Sequence, residues 1–147
     1  MQLYDKLKAK KQQVVTQAVH DNRSKIALQI LHAGRYAYHP FSVCASKNKA
    51  PINPFTPRAM SKRSIRCTIY DFAKTAELAK FAGYDGVEVM GSEGYLINQF
   101  ICRRSNKRTD EWGGSYQHRM PSPIEIVKAI RQRGGNGFIN NFRPSTP

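Results

Sequence analysis

Acidic residues are scarce in this chain: 10 Asp and Glu stand against 24 Lys and Arg, a formal net charge of +14 over 147 residues. So basic a chain attracts nucleic acid and other polyanions through its summed field. The cations, however, are spread over Lys6 to Lys11, Lys47 to Arg66 and Arg103 to Arg108, and no nucleic-acid motif is legible among them. Dedicated nucleic-acid binding is therefore not the leading expectation. Long apolar runs are also missing. Nothing approaches the roughly 20 residues that span a bilayer, and the opening Met1-Gln-Leu-Tyr-Asp-Lys6 lacks a signal-peptide stretch. A cytoplasmic protein with no membrane partner is expected. Cysteine is sparse as well: Cys44, Cys67 and Cys102 are odd in number and form no Cys-x-x-Cys. That argues against a disulfide framework and a closed zinc site, leaving idle or buried thiols. His20, His32, His39 and His118 are scattered, and no metal site is expected.

What is present is a regular alternation of helical and strand-like patterns. Residues 3–20 carry Leu3, Leu7, Val14, Val15, Ala18 and Val19 near a 3.6-residue period, an amphipathic helix frayed at its basic front. Asp21-Asn-Arg-Ser24 ends it, and Ile26-Ala-Leu-Gln-Ile-Leu31 follows as a compact apolar strand. A long irregular, proline-containing segment then runs to about residue 60; loops of that length often form lids or binding walls. Residues 61–82 give the clearest helix, with a stripe of Ile65, Ile69, Phe72, Ala73, Ala76, Ala79 and Phe81 and a stop at Gly83. A short strand follows over residues 86–90, breaking at Gly91 into a polar loop with Glu93 and Tyr95. Ser122-Pro-Ile-Glu125 predicts an N-capped final helix by the capping-box pattern. The expected last strand, Phe138-Ile-Asn-Asn-Phe-Arg143, is weakened by two asparagines and closed by Pro144.

Helix, strand and reactive loop in that order make the junction used by α/β barrels, where groups at the carboxyl ends of parallel strands face the ligand. Tyr95 and Glu93 are accordingly the leading candidates for chemistry, although Tyr95 read from sequence without other support is a packing aromatic. Gln29 is the odd member of its strand, because a buried amide needs hydrogen-bond partners. It is satisfied either by neighbouring strand ends or by reading the edge of a heteroaromatic ring. Arg35 and Tyr36 face a ligand or serve the strand end. Glu88 is expected to be a buried structural partner of an arginine. Arg108 and Asp110, before Trp112-Gly-Gly-Ser115, look like a loop clamp, and Arg103 and Arg104 are read as solvated.

The run Gly83-Tyr-Asp-Gly-Val-Glu-Val-Met-Gly-Ser-Glu-Gly-Tyr-Leu-Ile-Asn-Gln-Phe100, followed by Arg108-Thr-Asp-Glu-Trp-Gly-Gly-Ser115, resembles the bacterial 2,4-dienoyl-CoA reductase branch of the old yellow enzyme family. Leu28-Gln-Ile-Leu-His-Ala-Gly-Arg-Tyr36 and Ala50-Pro-Ile-Asn-Pro54 precede it in the family's order. The resemblance implies an α/β fold, a partial (β/α)₈ barrel of about the third to fifth strands with their helices, since the chain is well short of the roughly 250 residues of a whole barrel. Residues 1–147 then form a single truncated FMN-binding segment. It further implies FMN as cofactor, held by Gln29 and Arg143, with Tyr95 as proton donor and Glu93 tuning or orienting it. The implied partners are NAD(P)H and an enoyl-CoA thioester. A histidine from a later part of the barrel shares the proton work in the dienoyl reductases. The family's late phosphate-binding loops, its 4Fe-4S cysteines and its FAD and NADPH domains have no counterpart in this sequence. Three readings stay open: an incomplete or inactive reductase fragment, a piece that self-associates or joins a complementing chain, and a non-enzymatic basic protein that binds anions or nucleic acid.

Overall fold

The computed structural model describes residues 3–145. Helix α1 (Lys6–Asp21) opens on Asp5, whose carboxylate accepts the Lys8 N–H at 2.8 Å and so serves as N-cap. The expected helix is there, but its apolar stripe is not the buried one. Leu7 and Val14 are exposed, and α1 packs through small residues, Ala9 and Thr16. The reason is close approach: the Thr16 hydroxyl donates to the Ala82 carbonyl at 2.7 Å, and Thr16 lies against Gly83, where a side chain would collide with it.

Strand β1 (Ala27–Ile30) is followed by a 3₁₀ turn at Gly34–Tyr36 and then by the long irregular segment. That segment is pinned by a short parallel pair, β2 (Val43–Cys44) with β3 (Arg58–Ala59). Helix α2 (Lys62–Phe81) starts on Ser61, whose hydroxyl accepts the Ser64 N–H at 3.1 Å. It buries Ile65, Phe72, Ala73, Ala76 and Ala79 as the sequence periodicity predicts, and Gly83 ends it at φ +89°, a conformation costly for any side chain.

Strand β4 (Gly86–Gly91) is the middle of a three-stranded parallel sheet in the order β1-β4-β5, where β5 is Ile139–Pro144. Each parallel neighbour is reached through helical segments, as such pairing requires. Between β4 and β5 lie α3 (Leu96–Ile101), α4 (Tyr116–Arg119) and α5 (Pro121–Gly134). The first two are too short to show a period in the sequence, and the segment read as a polar loop turns helical right after Tyr95. The capping box at Ser122 does not form. Helix α5 begins earlier, with Pro121 as its first residue, and Ser122 is buried inside the first turn. Strand β5 forms despite its asparagines because each amide nitrogen finds an acceptor. Asn140 Nδ2 donates to the Val127 carbonyl and Asn141 Nδ2 to Glu88, both at 3.1 Å.

The sheet has two unlike faces. Leu28, Ile30, Val87, Val89 and Phe142 point toward the helices and join Phe72, Ala76, Ile126 and Ile130 in the main core. A second cluster, Met60, Ile65, Leu96, Phe100 and Trp112, sits under the loops beyond the carboxyl ends of the strands. Burying side chains of this size contributes about 1.5–3 kcal/mol each, enough to hold those loops against the end of the sheet.

Candidate functional site

The opposite face of the sheet carries polar side chains in one layer. Gln29 and Glu88 are register partners across β1 and β4, and Glu88 and Asn141 are register partners across β4 and β5. Since side chains alternate along a strand, all three project from the same face. Gln29 Nε2 donates to Glu88 Oε1 at 2.7 Å, and Asn141 Nδ2 donates to Glu88 Oε2. Arg143, two residues beyond Asn141, brings Nη1 to 3.7 Å from Glu88 Oε1 and is itself largely exposed. Glu88 is thus the arginine partner expected, half-buried rather than buried, and it also fixes the two amides. With its N–H turned to Glu88, Gln29 leaves its carbonyl oxygen free as an acceptor toward the open face.

The two loops that follow β1 and β4 are stitched together by Gln99 on α3, fully buried at 1% exposure. Its carbonyl oxygen accepts the Arg35 N–H at 3.2 Å while its amide donates to the Gly94 carbonyl at 2.6 Å. Gly34 at φ +60° leaves the room the Gln99 amide occupies. A backbone bond from Leu96 N to the His32 carbonyl, at 2.9 Å, adds to this stitch. The result is an edge-on contact between Tyr36 and Tyr95, ring centroids 6.2 Å apart. No local spacing in the sequence marked Gln99, because both of its partners lie outside its helix.

Tyr95 stands at the first position before α3, half-buried, and its hydroxyl has no hydrogen-bond partner among the described residues. Glu93 is exposed and occupies a left-handed conformation, φ +59°, followed by Gly94 at +75°; Tyr95 N–H bonds back to the Ser92 carbonyl at 3.2 Å. This is a tight turn of the primed type, in which a non-glycine residue is strained by about 1–2 kcal/mol. No hydrogen bond or ion pair joins Glu93 to Tyr95. The structure brings Gln29 and Arg143 together through Glu88, and it sets Tyr95 with Tyr36 on a different part of the same end of the sheet.

Arg108 is the clamp the sequence suggested. Its guanidinium makes a two-pronged contact with Asp110, at 2.9 and 2.6 Å, and donates to the carbonyls of Ala45 at 2.9 Å and Met60 at 2.6 Å. The Arg108 side chain beside it holds the Asp110 carboxyl below the usual carboxylate range. At the opposite end of the strands Asp85 is similarly lowered, by Lys25, the Ile26 N–H and His20. It belongs to the structural base of the sheet. Burial lowers the His32 pKa, so the ring is neutral at pH 7 and accepts the Gly34 N–H on Nδ1 at 3.0 Å.

A cleft of about 740 Å³ runs along the free edge of β1 between α1 and α2. It reaches Gln29 and His32 but not Tyr95, Glu93 or Arg143, and so does not unite the candidates. Among the described residues, no group of three or more His, Cys, Asp or Glu could hold a metal ion, and no helix is long and apolar enough to cross a membrane.

FMN, the cofactor to which the sequence resemblance points, fits this face. The free carbonyl of Gln29 suits an imide N–H, and exposed Arg143 suits the edge of a flavin that gains negative charge on reduction. Comparison with known proteins agrees. Over residues 1–146 the chain matches the family model described as NADH:flavin oxidoreductase / NADH oxidase family. It is 38% identical over 140 residues to a metal reductase of Desulforamulus reducens, covering 88% of this chain and 21% of that protein. It is 39% identical over 124 residues to an NADPH dehydrogenase of Bacillus licheniformis, covering 80% of this chain and 35% of that one. Among solved structures, morphinone reductase superposes with a TM-score of 0.87 at 30% identity, over 95% of this chain and 43% of that one. A 2-naphthoyl-CoA reductase complex superposes with a TM-score of 0.90 at 30% identity, over 97% and 24%. The chain therefore spans between about a fifth and a third of the length of these curated relatives, and its three parallel strands and helices are part of a (β/α)₈ barrel. With that fold, a polar layer suited to a flavin edge and a family match along nearly its whole length, the chain belongs to the NADH:flavin oxidoreductase / NADH oxidase family, the old yellow enzymes.

Proposed function

We propose that this chain provides the flavin-edge wall and the proton donor of an FMN-dependent reductase that accepts hydride from NAD(P)H and reduces the conjugated double bonds of a 2,4-dienoyl-CoA thioester. The observation that carries this reading is the layer Gln29–Glu88–Asn141 with Arg143 beside it, an acceptor and a cation on the open face of one parallel sheet. The thioester class is supported by the likeness to a reductase of 2-naphthoyl-CoA. A pyridine nucleotide as donor is supported by the likeness to morphinone reductase, solved with tetrahydroNAD. A cytoplasmic setting fits both.

FMN, when bound, supplies hydride to one carbon of the conjugated system. Gln29 orients the cofactor's imide edge, because Glu88 holds its amide with the carbonyl outward. Arg143 balances negative charge at the same edge. Tyr95 then gives its hydroxyl proton to a second carbon as the electron pair of the double bond shifts toward it. A phenol of pKa about 10 is a poor acid in water, so the gain comes from position rather than acidity. Partial exposure of Tyr95 lets solvent return the proton. Glu93, beside it in the strained turn, sets the local charge. Strands β1 and β5 each have one neighbour in the sheet, and unpaired edges invite pairing. We place the active form in an assembly in which further barrel strands, from this protein's continuation, a second copy or a complementing chain, cover them.

The test is flavin content and turnover measured together. Purified protein should carry FMN near one per chain, visible as its yellow absorption. Tyr95→Phe should keep the flavin while enoyl-thioester reduction falls roughly a hundredfold, the usual weight of one positioned acid. Unchanged turnover would remove Tyr95 from its role, and protein without flavin affinity would remove the oxidoreductase reading.

A further inference from the structure

Between Asp21 and Asp71 the chain contains no carboxylate, and there is none between Glu93 and Asp110. The fold brings these two acid-free stretches together at the carboxyl ends of β1 and β4. Asn48 Nδ2 donates to the Arg104 carbonyl at 3.4 Å, and the Lys107 N–H donates to the Ser46 hydroxyl at 2.8 Å. The two bonds place Lys47 and Lys49 beside Arg103, Arg104 and Lys107, and all five are exposed. None of the five is in an ion pair among the described residues. The carboxylates closest in sequence are occupied, Asp110 by Arg108 and Glu111 by Lys62. Five uncompensated cations on two bonded loops carry a mutual repulsion that an anion would relieve.

The cluster is also wired to the candidate tyrosine. Tyr95 meets Tyr36 edge-on, the Tyr36 hydroxyl receives Arg35 Nη2 at 3.4 Å, and Arg35 Nη1 reaches Asn48 at 3.4 Å. Asn48 is the residue that holds the Arg104 loop.

We propose that Lys47, Lys49, Arg103, Arg104 and Lys107 form the docking site for the phosphorylated adenosine diphosphate tail shared by NADPH and coenzyme A. The assignment rests on the reading of the site as one for a pyridine nucleotide and a CoA thioester. It adds where the phosphates of such a ligand lie: on the rim beyond Tyr36, outside the flavin wall. Another basic group, on α1, is separate from this rim. Lys6 and Lys8 there lie over the rings of Phe81 and Tyr4.

Two probes distinguish the sources, 2′-phospho-ADP-ribose for the dinucleotide and desulfo-coenzyme A for the thioester. Binding is read by calorimetry on the whole chain at two salt concentrations. At least one probe should bind, more weakly at high salt. Arg104→Gln with Lys107→Gln, and separately Lys47→Gln with Lys49→Gln, should each weaken it about tenfold or more, since charge-assisted contacts to phosphate are strong. The probe that binds tighter identifies the ligand. Lys10→Gln with Lys11→Gln, an equal loss of charge on α1, should change the affinity less than about twofold. Equal weakening by the α1 pair would show a diffuse field and overturn the site. So would an absence of binding by both probes, or a single-stranded oligonucleotide that outcompetes both through the same residues. Flavin content measured on each variant keeps the two readings apart: nucleotide binding lost with flavin retained bears on the rim alone, and nucleotide binding without flavin leaves the rim standing while the oxidoreductase reading fails.

Discussion

Gln99 offers the sharpest test of how the loops after β1 and β4 are held. Its side chain donates to the Gly94 carbonyl at 2.6 Å and accepts the Arg35 N–H at 3.2 Å, with 1% of its surface exposed. Replacement by leucine keeps the volume and removes both bonds. A buried backbone group left unpaired costs about 1–3 kcal/mol, and rearrangement of one loop lets water reach part of the site, so about 3 kcal/mol is expected for Gln99→Leu. In a domain of this length that is roughly 9 °C in melting temperature. Gln99→Glu separates bonding from shape. A neutral carboxylic acid can donate to Gly94 and accept from Arg35; the carboxylate accepts only, and faces a carbonyl oxygen. Burial and that carbonyl both raise the folded-state pKa of the new glutamate, by about 2 units or more above its unfolded value near 4.3. The folded state then binds more protons than the unfolded one, so stability is complete below pH about 4 and is lost as pH rises through the folded pKa. Urea unfolding at pH 4 and pH 8 should show Gln99→Glu close to the parent at the lower pH and about 3 kcal/mol weaker at the higher. The Gln99→Leu deficit should stay constant relative to the parent. A Gln99→Glu protein that tracks the parent at both pH values would refute the stitch.

Two further outcomes follow from residues outside that contact. Arg108→Ala strands Asp110 and two carbonyls and should cost about 3–5 kcal/mol in urea unfolding, the range for breaking a largely buried pair. Arg108→Lys should recover less than half of it, since an ammonium cannot reproduce the fork. Because the Asp110 pKa is lowered in the fold, its contribution is present above the usual carboxylate range and is lost as pH falls through the lowered value; the parent should therefore shed more stability than Arg108→Ala on acidification below about pH 4. Glu93→Gly relieves a left-handed glutamate at φ +59° and should raise stability by about 1 kcal/mol in thermal unfolding. If Glu93 tunes the donor beside it, the same variant should lose turnover while gaining stability, and a gain in both would separate the turn from the chemistry.

The helices α1 and α2 and the strands β1 and β4 were legible because each rests on a signal spread along its own length, apolar residues at the right period, closed for α2 by the stop at Gly83. Where the signal was a single short motif it misled. Ser122-Pro-Ile-Glu125 has the capping-box letters, yet the helix starts at Pro121, two residues before Pro123, and Ser122 is buried. A proline at the first helical position needs no free N–H, so either proline could begin the helix, and local letters do not choose between them. The α1 stripe failed for a related reason. Periodicity finds an apolar face but not which neighbour covers it, and here contact with Gly83 selects the side bearing Thr16.

Gln29 shows the same limit at the site itself. From sequence it was an amide in an apolar strand, with a donor and an acceptor and no way to tell which one faced a ligand. The register of β1 against β4 decides that, because it sets Gln29 opposite Glu88, and a carboxylate can only accept. The N–H is drawn inward and the carbonyl left outward, so the ligand that face suits is a donor at its edge. The same carboxylate accepts from Asn141, one of the two asparagines that seemed to spoil β5, and stands 3.7 Å from Arg143. The polar letters that weakened the strand prediction are therefore part of the layer on which the flavin reading rests. Glu88→Gln would test that coupling. With the anion gone, the Gln29 amide is free to turn over and Arg143 loses its counter-charge, so FMN affinity should fall about tenfold, one lost charge-assisted contact, while the Tyr36–Tyr95 pairing in the loops beyond the strand ends stays in place.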